Sequence, residues 1–410
     1  MMLPEMILWF LVPLVIAAGG LFYTYLGYPL LLGLAACLKR SPAQADPDAT
    51  AARSVSVVIC AFNAGQQIRG KLENLRAQQG LPAEFELVVA SDGSTDDTVD
   101  TLRALGWPEL RVFDFSENRG KTTVLNEVIP RCRGEIVVLT DVRQPFESDA
   151  IRRLLENFAD PRVGAVSGEL VFRHAPDEPI TAEGMGIYWR YEKLLRRLES
   201  RVDSTSGCTG AIYAIRRALF RPIEPALLLD DVVIPLSIMR QGKRVLFDAR
   251  ARAYDVPSQD PGTERRRKIR TLAGNLQLVR AWPWLLNPVR NRIWWQFVSH
   301  KLLRLVCPYL LVLLLGSTIG LVVFSGWARV LLAAQLLFYV LAGVGLALGS
   351  RHLPALLVVP AFFVELNWLA VLAGFHFFSG KLEGRWTPTG GELKSEVGSR
   401  KSEVGRWTER

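Results

Sequence analysis

The sequence predicts an α/β domain with a mostly parallel sheet, inserted between transmembrane helices. Three observations carry that expectation. Three apolar, β-branched runs each stop at a polar loop: 55–60 (VSVVIC), 87–90 (LVVA) and 135–139 (EIVVL). Buried central strands emerging into loops have this form. The runs alternate with amphipathic segments at 67–78, 97–105 and 148–158, the pattern of right-handed crossovers in a parallel sheet. Charge is also unevenly spread. Residues 9–38 and 302–378 are almost free of it, and nearly all Lys, Arg, Asp and Glu lie at 39–301 or in the last thirty residues.

In chain order, residues 1–40 read as one long, tilted spanning helix, since the apolar stretch of about 30 exceeds the ~20 needed to cross a bilayer. Glu5 is its only preceding charge, so no basic leader is present and a cleaved signal peptide is not expected. Lys39, Arg40 and Arg53 follow, and the positive-inside rule then places the next residues in the cytoplasm. Residues 41–53 form a linker, and 54–285 a cytosolic domain. In open α/β sheets ligands sit beyond the carboxyl ends of the strands. That places Asp92, in the loop 91–97 (SDGSTDD), and Asp141 at a candidate site. A further strand is expected at 165–172 and a helix at 183–202, with Ile187, Tyr191, Leu194, Leu195, Leu198 and Val202 on one stripe. A Gly-rich loop at 207–210 enters a strand, Asp230 and Asp231 open a helix at 227–239, and 244–247 is a short strand. Residues 263–278 are strongly basic at their start. Trp294, Trp295 and Phe297 among Arg290, Arg292 and His300 suit an interfacial amphipathic helix over 286–302. About three spans follow in 303–379. Glu365 and Asn367 lie inside the third, where polar groups either serve function or face a partner helix. The tail, 380–410, repeats KSEVG at 394–398 and 401–405 and is expected to be flexible.

The net charge of +9 fits contact with an anionic inner leaflet and with phosphate. Nucleic acid is not an expected partner, because no basic run is interleaved with exposed aromatics. The five cysteines (37, 60, 132, 208 and 307) show no C-x-x-C spacing, so reduced thiols are expected. Gly120-Lys121-Thr122 ends like a P-loop, but Phe115 stands where its first glycine belongs, which argues against a Walker-type nucleotidase. No G-x-G-x-x-G follows a strand, which argues against a dinucleotide-dependent oxidoreductase.

Residues 54–141, 207–217, the pair Asp230-Asp231 and 267–274 together resemble the ordered signature of inverting family 2 glycosyltransferases. The closer resemblance is to the membrane-embedded branch containing hyaluronan, chitin, cellulose and poly-N-acetylglucosamine synthases. It covers roughly 54–300 and implies an A-type, Rossmann-like glycosyltransferase fold. On the donor side it implies a UDP-sugar held by Ala61, Phe62, Asn63, Asp92, Lys121, Asp141, Arg267 and Arg270. Asp92 would accept the base imide N–H, and Lys121 would lie near the diphosphate. The family's usual acid after the Asn is Ala64 here. Thr140-Asp141-Val142-Arg143 takes the place of the family's D-x-D, with Arg143 at the second acidic position, which implies either Mg²⁺ or Mn²⁺ held by Asp141 with the diphosphate alone or Arg143 replacing part of the metal's charge.

On the acceptor side the resemblance makes Asp231 the catalytic base, because single displacement at an anomeric carbon needs a carboxylate to take the attacking hydroxyl's proton. Asp230 accompanies it; the same pair also suits a helix cap. Gly207, Cys208, Thr209 and Gly210 match the acceptor loop. The family's Q-x-x-R-W falls on 267–271, where Arg267 replaces Gln and Thr271 replaces the acceptor-stacking Trp; a second register runs from Glu264 to Lys268. The implied activity is inverting transfer to a growing polysaccharide or glycan, at the cytoplasmic face of a plasma (bacterial inner) membrane, among membrane lipids. Thr271 keeps open the transfer of a single sugar to a lipid-linked acceptor. Arg143 and Ala64 keep open an inert scaffold that binds nucleotide sugar or glycan.

Overall fold

The computed structural model describes residues 2–39, 54–172, 181–225, 227–256, 261–348 and 354–380. The linker at 41–53 and most of the tail, including both KSEVG repeats, lie outside the described residues. Helix α1 (Met2–Phe22) passes through a π turn at Tyr23–Gly27 into α2 (Tyr28–Leu38). The domain then alternates β1 (Ser54–Ala61), α3 (Gly65–Arg76), β2 (Glu84–Asp92), α4 (Thr98–Leu105) and β3 (Leu110–Phe115). It continues with α5 (Lys121–Val128), β4 (Ile136–Thr140), α6 (Ala150–Glu156), β5 (Val163–Phe172) and α7 (Thr181–Val202). Next come β6 (Tyr213–Arg216), α8 (Asp230–Arg240), β7 (Arg244–Asp255) and α9 (Pro261–Ala281). The remainder is helical: α10 (Trp294–Gln296), a π turn at Phe297–Leu302, α11 (Leu303–Leu321), α12 (Gly326–Leu348) and α13 (Ala355–Phe378).

The strands form one seven-stranded sheet in the order β3-β2-β1-β4-β6-β5-β7. Among them β6 alone runs antiparallel to its neighbours, β4 and β5. Pairing of Ala61 with Ser91, Ile59 with Thr140 and Asp92 with Phe115 brings the carboxyl ends of β1 to β4 to one edge. Two strands differ from expectation, for the same reason. Edge strand β3 (LRVFDF) was hidden because Arg111 and Asp114 interrupt its apolar run. Strand β7 runs on to Asp255, where Ala251 and Ala253 are buried and Arg250 and Arg252 face outward. A strand with one solvated face alternates rather than staying apolar.

Both faces of the central sheet are covered. Val55, Val57 and Ile59 of β1 pack with Leu72 of α3, Leu102 of α4 and Leu154 of α6. Val58, pointing the other way, packs with Leu125 of α5 and Leu236 of α8. Each such side chain contributes about 1.5–3 kcal/mol when fully buried.

Among the described residues four helical runs are long and apolar enough to cross a membrane: Glu5–Leu38, Trp294–Leu321, Gly326–Leu348 and Ala355–Phe378. The interfacial helix expected over 286–302 is not a separate element. Trp294 opens a run that continues through the π turn into α11, because Ile293 and Phe297 are spent on the domain's core rather than on headgroups. Small residues let the spans approach: a Cβ on Gly20 would stand 2.8 Å from Leu310, and one on Gly320 would stand 2.3 Å from Phe10. Side chains also bind the domain to the spans. Tyr28 Oη donates to Glu199 Oε1 of α7 at 2.8 Å, and Arg265 Nε of α9 donates to Glu365 Oε1 of α13 at 2.9 Å. Glu365 thus faces a partner, and that partner is the basic helix.

Candidate active site

The site is built at the carboxyl edge of β1, β2 and β4. Asn63, just past β1, has φ of 50°, the left-handed region that Asn tolerates better than most residues. Its Oδ1 accepts the Thr95 N–H at 2.8 Å, and its own N–H donates to Ser94 Oγ at 3.1 Å. Ala64 N–H donates to Thr98 Oγ1 at 2.8 Å, and Gly65 N–H to Asp96 Oδ2 at 3.0 Å. The loops after β1 and β2 are thus stitched into one ledge beside Phe62, with Ala61 fully buried beneath it.

Asp92 ends β2 and is 2 % exposed; its two carboxylate oxygens accept the N–H groups of Arg119 and Gly120 at 2.8 and 2.9 Å. It therefore fixes the segment between β3 and α5. Gly93 makes this possible: φ is 73°, and a Cβ would stand 2.5 Å from Asn118 N. Asp92→Ala is expected to free the 116–120 segment, raise the donor KM several-fold and change kcat less; initial rates against donor concentration test this.

Fixing Gly120 places Lys121 as the first residue of α5. Lys121 Nζ lies 3.0 Å from Asp141 Oδ1 and 3.2 Å from Asp230 Oδ2. Burial alone would depress this ammonium, but Asp141 and Asp230 outweigh it and hold it well above its ordinary range. Arg270 of α9 lines the same small recess, with Gly120, Lys121, Thr122 and Asp230. Two cations and the amino end of a helix converge there, the usual recipe for a phosphate site. Arg267, one turn back, stands near Arg143, and burial and that neighbour hold it below its ordinary range. Arg143 donates to Asp255 Oδ2 at 2.6 Å, shared with Gln144 Nε2 at 2.9 Å.

Asp231 opens α8 beside Asp230, and its Oδ2 accepts the Gly210 N–H at 3.1 Å. Cys208 N–H donates to the Asp231 carbonyl at 2.8 Å, and Thr209 N–H to Ser167 Oγ at 3.1 Å, so the 207–210 loop is laid along the start of the helix. A Cβ on Gly210 would stand 3.6 Å from Asp231 Oδ2 and 3.7 Å from Asp141 Oδ2. Burial, and then the Asp230 carboxylate, push Asp231 up to about 6. A carboxylate titrating there is poised to accept a proton near neutral pH. Thr271 lies apart: it is exposed, and its hydroxyl donates to the Arg267 carbonyl at 3.0 Å.

Three supporting residues escaped the sequence. Tyr213 Oη donates to Asp230 Oδ2 at 3.3 Å, and Asp255 anchors Arg143. Lys71 is 3 % exposed, with Nζ donating to Thr140 Oγ1 at 2.9 Å and to the Gln144 carbonyl, while Thr140 Oγ1 donates in turn to the Ala211 carbonyl at 2.7 Å. Burial depresses Lys71 to about 7. A signal was present: Lys71 falls on the apolar stripe of Ile68, Leu72 and Leu75, where a charge needs a reason.

A family model described as glycosyl transferase family 2 matches residues 56–223, and one described as glycosyl transferase family group 2 matches 141–342. The poly-beta-1,6-N-acetyl-D-glucosamine synthase of Staphylococcus aureus is 20 % identical over 231 residues, 55 % of each chain. An N-acetylglucosaminyltransferase of Rhizobium meliloti is 28 % identical over 182 residues, 43 % of this chain and 41 % of that one. The chain thus spans about half the length of the curated relatives it matches. Among solved structures, a mannosyltransferase from Pyrobaculum calidifontis, in complex with GDP-Man and Mn²⁺, superposes with a TM-score of 0.66 at 23 % identity, covering 90 % of this chain and all of that one. That likeness shows the fold, the A-type glycosyltransferase arrangement with its mixed, mostly parallel sheet. The two matched regions together run from residue 56 to residue 342, and this part of the chain carries the glycosyltransferase family 2 domain.

Proposed function

We propose that the chain transfers a sugar, with inversion, from a UDP-sugar to a growing glycan at the cytoplasmic face of the membrane. The observation that carries this reading is the convergence of two carboxylates on Gly210, where the position a Cβ would take lies 3.6 Å from Asp231 Oδ2 and 3.7 Å from Asp141 Oδ2. An acceptor hydroxyl seated beside Gly210 gives its proton to Asp231 while its oxygen attacks the anomeric carbon. The bond from that carbon to the diphosphate breaks, and the leaving charge falls on Lys121 and Arg270. The relatives' activity supports a polysaccharide product. Thr271, in place of an aromatic platform, supports a second reading, transfer of one sugar to a lipid-linked acceptor.

Asp141 keeps Oδ2 outside its pair with Lys121 and is 46 % exposed. Among the described residues no three His, Cys, Asp or Glu side chains form a closed metal site. The exposed Asp141 carboxylate suits Mg²⁺ or Mn²⁺, with diphosphate and water completing the shell. When bound, such an ion supplies positive charge to the leaving diphosphate. EDTA is expected to suppress turnover and Mg²⁺ or Mn²⁺ to restore it; undiminished turnover in EDTA would instead leave that charge to Lys121, Arg143 and Arg270.

The full chain, purified and incubated with radiolabelled UDP-glucose, UDP-N-acetylglucosamine or UDP-galactose, tests the proposal through UDP release and product length. One donor is expected to release UDP and yield polymer. Single-sugar products would reject the polymerase version, and no release from any donor would reject the UDP-sugar reading.

A further inference from the structure

Helix α3 covers the sheet with Ile68, Leu72 and Leu75, yet one row of its surface is polar. Lys71, Asn74 and Gln78 are spaced three and then four residues apart, so they share one helical face. All three are spent on the chain that follows β4. Lys71 Nζ donates to Thr140 Oγ1 at 2.9 Å and to the Gln144 carbonyl, and it lies 4.0 Å from the centroid of the Phe146 ring. Asn74 engages both backbone groups of Phe146, donating to its carbonyl at 2.9 Å and accepting its N–H at 2.7 Å. Gln78 donates to the Glu147 carbonyl at 2.8 Å and accepts the Ile151 N–H at 3.2 Å. Asn74 and Gln78 thus fasten the far part of the segment. Lys71 is the one of the three that grips both sides of Asp141, at Thr140 before it and at Gln144 after it.

Lys71 also acts at a distance, through a hydroxyl. An ammonium only donates, so Thr140 Oγ1 accepts from it and must turn its own proton elsewhere. The Ala211 carbonyl, at 2.7 Å, is nearer than the Asp141 carbonyl at 3.2 Å and takes that proton. Lys71, Thr140 and Ala211 are all buried. Ala211 follows Gly210, whose N–H donates to Asp231 Oδ2 at 3.1 Å. One line of contacts therefore runs from α3, through the residue before Asp141, to the backbone beside Asp231. A buried ammonium is costly unless it is fully hydrogen-bonded, and here its bonds join the two halves of the site.

We propose that Lys71 is a positioning residue that sets the separation of Asp141 from Asp231. It acts through Thr140 and the Ala211 carbonyl. In the transferase reading, on which this rests, Asp141 serves the donor diphosphate and Asp231 takes the acceptor's proton. Asn63 and Asp92 hold other loops of the donor side and are not part of this line. Loss of Lys71 should therefore leave donor binding in place and spoil the alignment of donor with acceptor. A misplacement of about 1 Å is enough to cost about 10²-fold in rate.

The test uses the full chain in lipid nanodiscs, with kcat taken per UDP-binding site so that unfolded protein does not count. Lys71→Met keeps the stem against Phe146 and removes the donors. It is expected to lower kcat about 10²-fold while the donor KM and the UDP Kd stay within about threefold of wild type. Thr140→Val breaks the same line at its second link, with a similar loss expected, and it serves if Lys71→Met does not fold. The double variant should be no slower than the slower single one, because both cut one line. Asn74→Leu, on the same helical face, should lower the Tm with kcat per site close to wild type. Multiplying losses in the double variant, or an equal loss of kcat in Asn74→Leu, would overturn the proposal. Deuterium exchange gives a readout that needs no turnover: both line-breaking variants should exchange faster over 207–213 and unchanged over 91–97. Exchange at 207–213 equal to wild type would overturn the proposal. Faster exchange there, in a chain that turns over no UDP-sugar, would support the link and reject the transferase reading instead.

Discussion

Asp231→Asn is expected to lower kcat by about 10²–10⁴-fold, the range for removing a positioned general base, and to leave the donor KM almost unchanged. Asparagine keeps the oxygen that accepts the Gly210 N–H, so the acceptor loop should stay in place. The pH profile gives an independent check. Asp231 must be ionised to accept the proton, so turnover should rise with pH through about 6 and level off above it. Stability moves the other way. The folded state holds this proton more tightly than an unfolded Asp of about 3.9 does, so the favourable contribution is complete below about 3.9 and is lost as pH rises through the folded value. Removing the ionisation by Asp231→Asn should therefore keep or raise the Tm at pH 8. A variant that retains wild-type turnover would move the base elsewhere.

Lys121→Gln is expected to have the broader effect, because one ammonium serves both Asp141 and Asp230. Its loss should raise the donor KM, lower kcat and cost about 1–3 kcal/mol of stability, the typical penalty of leaving a buried charged partner unsatisfied. It should also shift the pH profile. Lys121 opposes the upward push on Asp231, so without it the acid limb should move above about 6. Initial rates from pH 5 to 8 on both variants separate the roles: a profile unmoved in Lys121→Gln would mean that the cation does not sense the base.

Much of this could be read from the sequence because strand ends have an abrupt signature. Asp92, Asp141 and the 207–210 loop lie at breaks between apolar and polar runs, and the sheet brings those breaks to one edge. What could not be read is partnership. Asp92 looked like a free hydrogen-bond acceptor at a strand end, yet its oxygens are engaged by Arg119 and Gly120, across a turn whose course depends on an edge strand the pattern concealed. Arg143 looked like a lost metal ligand; its partner, Asp255, lies on a strand that ran longer than its apolar residues indicated. The segment at 286–302 had the composition of a membrane-surface helix, and only tertiary packing of Ile293 and Phe297 shows that its apolar residues serve the core.

The ion pair between Arg265 and Glu365 has a practical consequence for how the catalytic unit can be handled. In the proposed reading helix α9 supplies Arg267 and Arg270 to the donor side while bracing on α13, so residue 285 is a seam in sequence and not a place where the protein can be cut. A truncated domain ending there would keep its sheet and its carboxylates but leave α9 without its brace. Solubilisation that loosens α13 should act like a mutation in the diphosphate recess, so activity should follow the integrity of the spans.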